Sequence, residues 1–430
     1  MTDRHRDADQ VQAHFVGPGP SARWSWPAGL VLALGVAALG VYRGETAATP
    51  AAPPTRIAIR IDCADPAACT LAESLALDVW SEEQGAGLPL DVVVTEDALA
   101  QLAAAHVAWQ VIVPDIDAVA AAEAERLRTP TALAMADWFG EYRDYTAITK
   151  HLEELAALAP ERVSMQAIGS SLEGRPLWAL RIGGTSPDAT PMLIDGTQHA
   201  REWIAAMTTT CVADRLVRGY ASDPAIRAFV DHTALWVVPV VNPDGYQYSW
   251  STNRYWRKNR REGYGVDLNR NFSVAWGNTG SSRSQRSDTY RGEYAFSEPE
   301  SAALRDLAKR EQIAVHVDFH AYSQLILYPW NHTGTPTKDR ARLAAIGDRM
   351  ASAMFAPHET RYALMNGVDL YAAAGTMTDW MYGEAQAMSY TIELRPKNGF
   401  GPGGFVLPPE QIRPTCDEGL AAVLALRAAR

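Results

Sequence analysis

The sequence predicts an α/β protein with a mixed central β-sheet flanked by helices, preceded by a small α+β domain. Three observations indicate this fold. Apolar strand-like runs alternate with amphipathic helices from Tyr142 onward, a shorter strand and helix series comes before them, and an Ala/Thr/Pro-rich linker precedes that series. The 430 residues are 47% hydrophobic and 21% charged, which excludes a disordered chain, a coiled coil and a polytopic membrane protein.

Residues 1–55 are predicted to be an export signal or N-terminal anchor followed by the linker. Residues 24–42 carry no charge, Arg4, Arg6 and Arg23 precede them, and small residues follow them. This pattern is typical of a cleaved secretory signal. The stretch is also near the minimum length that spans a bilayer, so an uncleaved anchor is the alternative. In both cases we expect the remaining chain outside the cytoplasm, secreted or periplasmic, or facing outward from the membrane.

Residues 56–130 are predicted to form the small α+β domain. Its strands are expected at 57–61, 90–94 and 109–113. Helices are expected between them in the segments LAESLALDVW and EDALAQLAAA. Another helix, DAVAAAEAERLR, ends at the turn-forming Thr129-Pro130, so a domain boundary is expected near residues 128–137.

Residues 131–430 are predicted to form one large α/β domain. An amphipathic helix at 145–159 opens it, and the segment GSSLEGRPLWALRIGG is typical of a hairpin. Further strands are expected in PMLIDG and at 235–241, 313–320 and 389–395, with helices near 201–219 and 341–355. Apolar strands that alternate with helices favour a parallel or mixed sheet.

The net charge and the cysteine content argue against some partners and indicate which residue types could bind a metal. The formal net charge of -11 argues against nucleic acid as a partner. The four cysteines include no CxxC pair, so a metal would be held by His and carboxylate side chains. Cys63 and Cys69 are close enough to close a short disulfide loop in an oxidising compartment, or they are buried free thiols. Cys211 and Cys416 are expected to be unpaired.

A metal site is predicted from His199, Glu202 and His320. The His199-Ala-Arg-Glu202 pattern follows an apolar strand, and His320 ends another one, so both lie at the carboxyl edge of the sheet, where active sites of α/β folds gather. The same HxxE pattern at His151 lies within a helix with no strand before it, and we interpret His151 as a surface residue. His316 lies deeper on its strand and is expected to be a core histidine bonded to backbone.

Further side chains complete a hydrolytic site. Asp267 in GVDLNRNF could accept the second ring proton of a ligand histidine and orient it, although an ordinary turn aspartate is the alternative. Zinc with three protein ligands lowers the pKa of bound water towards about 7. Glu393 ends an apolar strand and is our candidate general base, whereas the alternative pairs it with Arg395.

The segment NRYWRKNRREGYGVDLNRNF concentrates basic residues among aromatic ones. Such a run is usually a solvated face, and by pattern alone it could suggest nucleic acid. In a zinc hydrolase, one arginine can bind an anionic substrate group and another can stabilise an oxyanion. We therefore expect a substrate that ends in a carboxylate.

The segments DGTQHAREWIA, VVNPDGYQYSW, NRYWRKNRR, GVDLNRNF, DFHAYSQLILYPW, TIELRP and LPPEQIRPT resemble the zinc metallocarboxypeptidases of the carboxypeptidase A/B type. They occur in that family's order from about residue 140 to the C-terminus. The resemblance implies one Zn²⁺ per chain and a carboxypeptidase-like fold. It implies zinc ligands at His199, Glu202 and His320, a general base at Glu393, an oxyanion-stabilising Arg260, a substrate carboxylate site of Asn269, Arg270 and Tyr371, and further substrate contacts from Arg201, Tyr322 and Phe405.

The resemblance extends to the small domain, which is similar to that family's inhibitory prosegment, an α+β open sandwich. This implies a proenzyme whose prosegment inhibits the same chain until an activating protease cuts the connecting helix. The segment AEAERLRTPT, with Arg126 and Arg128, is the expected region of the cut. The partners implied are peptide or protein C-termini, the chain's own prosegment and the activating protease.

The side-chain preference departs from the familiar members of the family. Thr378, just before Asp379, stands where relatives carry an acidic or an aliphatic residue. With Asn331 and Thr376 expected nearby, the pocket is predicted to favour neutral, aliphatic or aromatic C-terminal residues. The Gly-rich insertion KNGFGPGG lies between Glu393 and Phe405 and is a further departure from the family's pattern. A zinc amidohydrolase acting on small acylated amino acids and an inactive zinc- or peptide-binding protein are the alternative functions.

Overall fold

The computed structural model describes residues 54–81, 89–129, 132, 136–398 and 404–426. The predicted export segment and most of the KNGFGPGG insertion lie outside these residues. Residues 53–430 belong to one compact unit. Within the described part of the chain, no helix is both long enough and apolar enough to cross a bilayer.

The N-terminal α+β region (residues 54–128) is a four-stranded sheet with helices. Its strands are β1 (Arg56–Asp62), β2 (Asp78–Val79), β3 (Pro89–Thr95) and β4 (Trp109–Val113), and its helices are α1 (Pro66–Leu75), α2 (Glu96–Ala104) and α3 (Ile116–Arg128). The strand order is β2-β3-β1-β4, and every neighbouring pair is antiparallel. Strand β2 corrects our expectation of a helix through LAESLALDVW. The helix ends at Leu75 because Asp78 and Val79 pair with β3 instead.

The large α/β region (residues 138–426) is built on an eight-stranded sheet. Its strands are β5 (Val163–Ser170), β6 (Pro176–Gly183), β7 (Thr190–Gly196), β8 (Thr233–Val238), β9 (Val315–Ala321), β10 (Leu325–Tyr328), β11 (Ala363–Asn366) and β12 (Met388–Leu394). The order is β11-β10-β12-β9-β7-β8-β6-β5. The central strands β12, β9, β7 and β8 are parallel, whereas β5/β6, β6/β8 and β10/β12 are antiparallel. The predicted mixed sheet and its hairpin are confirmed.

Helices cover the sheet. They are α4 (Tyr145–Leu158), α5 (Trp203–Gly219), α6 (Pro224–Asp231), α7 (Pro243–Ser251), α8 (Pro299–Glu311), α9 (Arg340–His358), α10 (Gly367–Leu370), α11 (Met377–Gly383) and α12 (Ile412–Leu426). The alternation of side chains along β7 explains the layers, because Met192 and Ile194 pack in one buried apolar cluster and Leu193 packs in another. The sheet is therefore buried on both faces, as its apolar strands require.

Several helices begin at a side chain that accepts a backbone hydrogen bond. The Asp144 carboxylate accepts from Ala147 N at 2.8 Å at the start of α4, and the Thr95 hydroxyl accepts from Ala98 N at 3.3 Å at the start of α2. Asp115 caps α3 in the same way. These contacts satisfy N–H groups that have no partner within the helix, and so they fix where each helix starts.

Two disulfides tie the chain together, and one of them corrects our expectation. Cys63 and Cys69 are bonded and close the loop between β1 and α1. Cys211 and Cys416, which we expected to be unpaired, are also bonded. Helices α5 and α12 bring the two residues together with their Cα atoms 5.9 Å apart, although 205 positions separate them in sequence. Only helix packing, which the local sequence does not show, could reveal this pair.

Two histidines differ from our expectation. His151 is buried rather than on the surface, because α4 packs it against the Trp138 ring at 4.1 Å and places its Nε2 3.0 Å from Asp214 Oδ1. His316 is buried as expected, but its ring bonds to side chains and not to backbone. Its Nε2 lies 2.8 Å from Asp195 Oδ1 and its Nδ1 lies 2.8 Å from Ser389 Oγ, since the sheet already uses the strand's backbone groups.

Candidate active site

The candidate site lies where two neighbouring strands end. Strands β7 and β9 are adjacent and parallel, with Gly196 opposite Phe319, so the chain that follows β7 meets the end of β9. His199 and Glu202 come directly after β7, and His320 lies near the carboxyl end of β9. Their burial is nearly complete. The structure thus brings together the three side chains that the sequence pointed to.

These three side chains direct their donor atoms towards one point. His199 Nδ1 lies 2.8 Å from Glu202 Oε1, His320 Nδ1 lies 3.0 Å from Glu202 Oε2, and the two Nδ1 atoms are 3.0 Å apart. Two donors bound at 2.0–2.1 Å to a tetrahedral ion stand about 3.3 Å apart, which is close to this spacing. Two imidazole nitrogens and one carboxylate are also a common donor set for catalytic zinc. The residues present therefore fit a zinc ion.

Asp267 lies behind His199. Its Oδ1 is 3.1 Å from His199 Nε2, and its Oδ2 accepts from Arg257 Nη2 at 2.9 Å. Asp267 Oδ1 also accepts from Asn269 N at 2.9 Å. A carboxylate at the outer nitrogen of a histidine fixes which ring nitrogen carries the proton, and so His199 Nδ1 is left as the donor to a metal.

Asp318 occupies the equivalent place behind His320, and our sequence reasoning missed it. Its Oδ2 is 2.8 Å from His320 Nε2 and accepts from Gln198 Nε2 at 2.6 Å. Asp318 lies two residues before His320 on β9, on the same side of the strand. That spacing was the signal in the sequence that could have identified it.

The electrostatics of the cluster favour ionised carboxylates. Burial raises the pKa of Glu202, but His199 and His320 outweigh it and lower that pKa to about 2. Burial also raises the pKa of Asp267, which Arg257 and other cations bring well below its ordinary value. For His320, burial lowers the pKa, whereas Asp318 and Glu202 raise it well above the usual range. The Glu202 and Asp267 carboxylates are therefore ionised, which suits the binding of a divalent cation.

Glu393 lies on the next strand. It is the register partner of His320 across the parallel pair β12/β9, and it is buried. Arg395, which the alternative interpretation paired with it, binds Glu418 instead through Nε at 3.0 Å and Nη2 at 2.5 Å. Glu393 also lines a cavity of about 160 Å³. A carboxylate thus faces a space beside the histidine cluster.

The predicted carboxylate-binding residues lie together. Arg270 Nη2 donates to Tyr371 Oη at 3.3 Å, and Arg270 Nη1 donates to the Asn269 carbonyl at 2.8 Å. Asn269 Nδ2 lies 3.4 Å from His320 Nε2, which connects this group to the histidine cluster. Arg257, Arg270 and Tyr371 line a cavity of about 290 Å³. The cavity is therefore suited to an anionic group.

The other predicted contacts fall into two groups. The Arg201 guanidinium lies 4.2 Å from the Phe405 ring, and the Tyr322 ring is 5.1 Å from that ring, so these three side chains are brought together. The Arg260 guanidinium stacks on Tyr248 at 3.6 Å and lies 4.6 Å from the Trp256 ring. This aromatic stack was not foreseen from the sequence.

Thr378 is fully buried, and its hydroxyl is hydrogen-bonded to that of Thr391 on β12. Nearby, Asn331 Nδ2 donates to Thr376 Oγ1 at 3.3 Å and to Asp379 Oδ1 at 2.9 Å. The hydroxyl and amide groups around Thr378 are uncharged. Asp379 is further engaged by His332, whose Nδ1 lies 2.7 Å from its Oδ2.

The N-terminal α+β region covers this site. Arg201 Nη1 donates to both carboxylate oxygens of Asp78, at 3.1 and 3.0 Å. The Trp80 ring stacks on Tyr255 at 5.1 Å and meets Phe405 edge-on at 5.7 Å. Both cavities described above are lined in part by this region, which contributes Ser81 to each of them. Access to the cavities is therefore restricted by the chain's own N-terminal part.

Sequence comparisons find relatives of this chain among the zinc carboxypeptidases. The zinc carboxypeptidase family (Peptidase_M14) matches residues 148–422. Carboxypeptidase A1 of Mus musculus is 33% identical over 370 residues, which is 82% of this chain and 87% of that protein. Carboxypeptidase B of Astacus astacus is 39% identical over 297 residues, covering 67% of this chain and 96% of that protein.

Solved structures agree with the sequence comparisons. The structure of thrombin activatable fibrinolysis inhibitor superposes with a TM-score of 0.79 at 30% identity, covering 87% of this chain and 98% of that one. Carboxypeptidase A from Helicoverpa armigera gives a TM-score of 0.77 at 29% identity, with the same two coverages. The chain therefore belongs to the zinc carboxypeptidase family, among the metallocarboxypeptidases of the A/B type.

Proposed function

We propose that this chain is a secreted proenzyme of a zinc carboxypeptidase that hydrolyses the last peptide bond of peptides and proteins. The observation that carries the proposal is the convergence of His199, Glu202 and His320 beside Glu393. These three residues would hold the metal. Bound zinc supplies a polarised carbonyl and a water whose pKa is lowered towards about 7.

Glu393 is the general base in this proposal. Its carboxylate takes a proton from the attacking water and passes it to the departing amine, so that one group serves in both halves of the reaction. Its position opposite His320 in the sheet register supports this role, as does its place in the lining of a cavity. Arg260 is the group we assign to the tetrahedral oxyanion, as the family resemblance implies.

Asn269, Arg270 and Tyr371 bind the substrate's terminal carboxylate. A buried arginine favours a site occupant that brings the matching negative charge, and an internal peptide bond brings none. This requirement makes the enzyme an exopeptidase. The cavity of about 290 Å³ that Arg270 and Tyr371 line supports this assignment.

The preferred C-terminal residue is neutral or hydrophobic. Thr378 and its partner Thr391 offer hydroxyl groups that already bond to each other, and neither supplies a charge for a basic or acidic side chain. A substrate lysine or arginine would lose its hydration without gaining an ion pair from these residues. A marked preference for C-terminal lysine or arginine would contradict this part of the proposal.

The N-terminal α+β region is the inhibitory prosegment. Its Asp78 occupies Arg201, and its Trp80 packs on Tyr255 and Phe405, so an approaching peptide would have to displace them. Two disulfides support export, because such bonds persist in oxidising compartments. Proteolysis after the prosegment would release an accessible enzyme.

The test is the hydrolysis of blocked dipeptides that differ only in the C-terminal residue, before and after trypsin treatment, with and without a zinc chelator. We expect release of free amino acids only after trypsin, and its loss with chelator. The matched control is Glu393→Gln, which should bind the same zinc yet lose about 10²–10⁴ in turnover. No release despite stoichiometric zinc would favour a small-molecule amidohydrolase or an inactive binding protein.

A further inference from the structure

His320 has a partner on each of its two ring nitrogens. Its Nδ1 faces His199 and Glu202, whereas its Nε2 lies 2.8 Å from Asp318 Oδ2. Asp318 is fully buried in the middle of the parallel sheet. A buried carboxylate costs free energy in such a place unless it is hydrogen-bonded or paired with a cation. Its partners therefore indicate what it does.

A second contact links Asp318 to the other side of the site. Gln198 Nε2 donates to Asp318 Oδ2 at 2.6 Å, and Gln198 directly precedes His199. The same carboxylate oxygen thus bonds to the strand that carries one histidine and to the loop that carries the other. It holds the two in a fixed mutual position.

We propose that Asp318 is a positioning residue that sets the orientation and tautomer of His320, so that Nδ1 is presented to the zinc ion. The inference rests on the ligand set of the proposed function. A proton on Nε2 directed at Asp318 leaves the Nδ1 lone pair for the metal. Asp318 therefore does for His320 what Asp267 does for His199.

The two supporting carboxylates differ in how they are held. Asp267 is paired with the Arg257 guanidinium at 2.9 Å, which offsets its charge. Asp318 is held by the neutral amide of Gln198, so more of its negative charge acts on the imidazole and on a cation beyond it. Removal of such a partner typically lowers metal affinity 10- to 100-fold. We expect Asp318→Asn to lie in that range.

The experiment compares zinc affinity in the full chain by competition with a chromogenic chelator. Asp195→Asn is the matched control: Asp195 is the register partner of Asp318 on β7, is equally buried, and bonds to His316 rather than to His320. Burial, with Asp318 nearby, raises the pKa of Asp195 to about 7, so an amide resembles its neutral form. We expect the control to bind zinc within about twofold of the parent chain, since it touches no proposed ligand.

A second readout separates orientation from affinity. With Co²⁺ in place of zinc, the visible absorption spectrum reports the ligand geometry, and Asp318→Asn is expected to shift it while the control does not. Thermal unfolding of the metal-free proteins checks that each variant is folded. If Asp318→Asn fails to fold, Asp318→Ser removes the carboxylate and leaves a smaller hydroxyl group that can still accept a hydrogen bond, and the same comparison applies.

The outcomes separate this inference from the proposed function. If His320→Ala keeps full zinc affinity, the ligand set is wrong, and the proposed function fails with it. If His320→Ala loses zinc while Asp318→Asn and Asp318→Ser bind it normally, the ligand set stands and only the role of Asp318 is overturned. An equal loss in Asp195→Asn would also overturn it, because the effect would then follow from altering any buried carboxyl group in the sheet.

Discussion

The buried ion pair between Glu123 and Arg254 gives the sharpest test of how the proposed prosegment, the N-terminal α+β region, is held. Glu123 lies on α3, and its carboxylate pairs with the Arg254 guanidinium of the large α/β region. The two side chains are 1% and 6% exposed. Arg254 also donates to the carbonyls of Arg201 and Phe405, at 2.8 and 2.5 Å, and stacks on the Trp203 ring at 3.7 Å. Replacing Glu123 with alanine leaves this guanidinium buried without its carboxylate.

The size of the effect follows from that burial. Removing one partner of a buried pair costs about 3–5 kcal/mol, since an uncompensated charge remains. Arg254 keeps its two carbonyl contacts, which places the expected loss near the lower end of that range. Departure of α3 removes the Glu123 contact from the parent chain as well, so we expect the cost to fall on the packed state. The accessible fraction of intact chain is then expected to rise by about 10²-fold.

The assay measures hydrolysis of a blocked dipeptide by uncleaved protein, expressed relative to the same sample after trypsin. Glu125→Ala is the control, two residues along the same helix. Glu125 pairs with Arg128, and the two side chains are 67% and 70% exposed, so this pair contributes at most about 1 kcal/mol. If Glu123→Ala is as latent as the parent chain, or if both variants gain activity equally, the reasoning from burial is refuted.

Three further predictions concern stability and activation. Alanine at both Cys211 and Cys416 opens a link that spans 205 positions, so the free energy of unfolding in urea should fall by up to about 5 kcal/mol, and a loss under about 1 kcal/mol would contradict the pairing. Burial raises the pKa of Glu300 to about 7, so the folded state holds the Glu300 proton more tightly than the unfolded state does. The resulting contribution to the free energy of unfolding is fully present in acid and is lost as the pH rises through 7. As the pH rises from 5 to 8, the free energy of unfolding of Glu300→Gln should therefore increase by up to about 3 kcal/mol relative to that of the parent. If the thermal-unfolding temperatures of the two proteins change with pH in parallel, this prediction is wrong. Trypsin should cleave the bond that follows Arg128 earlier in time than the bond that follows Arg126, because the two side chains are 70% and 29% exposed. N-terminal sequencing of samples taken over time would refute this if cleavage at Arg126 came first.

Much of the fold was predictable because apolar periodicity reports local structure directly. The strand before His199 and the strand that ends near His320 were both visible as apolar runs, and the parallel pairing of such strands places their carboxyl ends together. Strand β2 was not predictable, because only its pairing with β3 stops Asp78 and Val79 from continuing a helix. Local sequence does not encode that competition.

Contacts between distant segments account for the other errors. His151 has the sequence surroundings of an exposed helical residue, but Trp138 and Asp214 bury it from outside its own helix. Cys211 and Cys416 meet only because α5 and α12 pack together. Asp318 differs from these cases, because its two-residue spacing from His320 on one strand could have been recognised from the strand period alone.

The metal donors and the walls of the cavity come from different parts of the fold. Metal binding and substrate range therefore have separate structural origins in this enzyme. His199 and His320 take their positions from β7 and β9, whose mutual register is fixed along the whole pairing. The connection from β8 to β9 includes Arg270 and the loop around Asp288, which form walls of the cavity of about 290 Å³, and it contains none of the three metal donors. Insertions or exchanges in that connection can therefore change what the cavity admits while the metal donors stay in place. Substrate range and metal chemistry can evolve, or be engineered, independently in this scaffold.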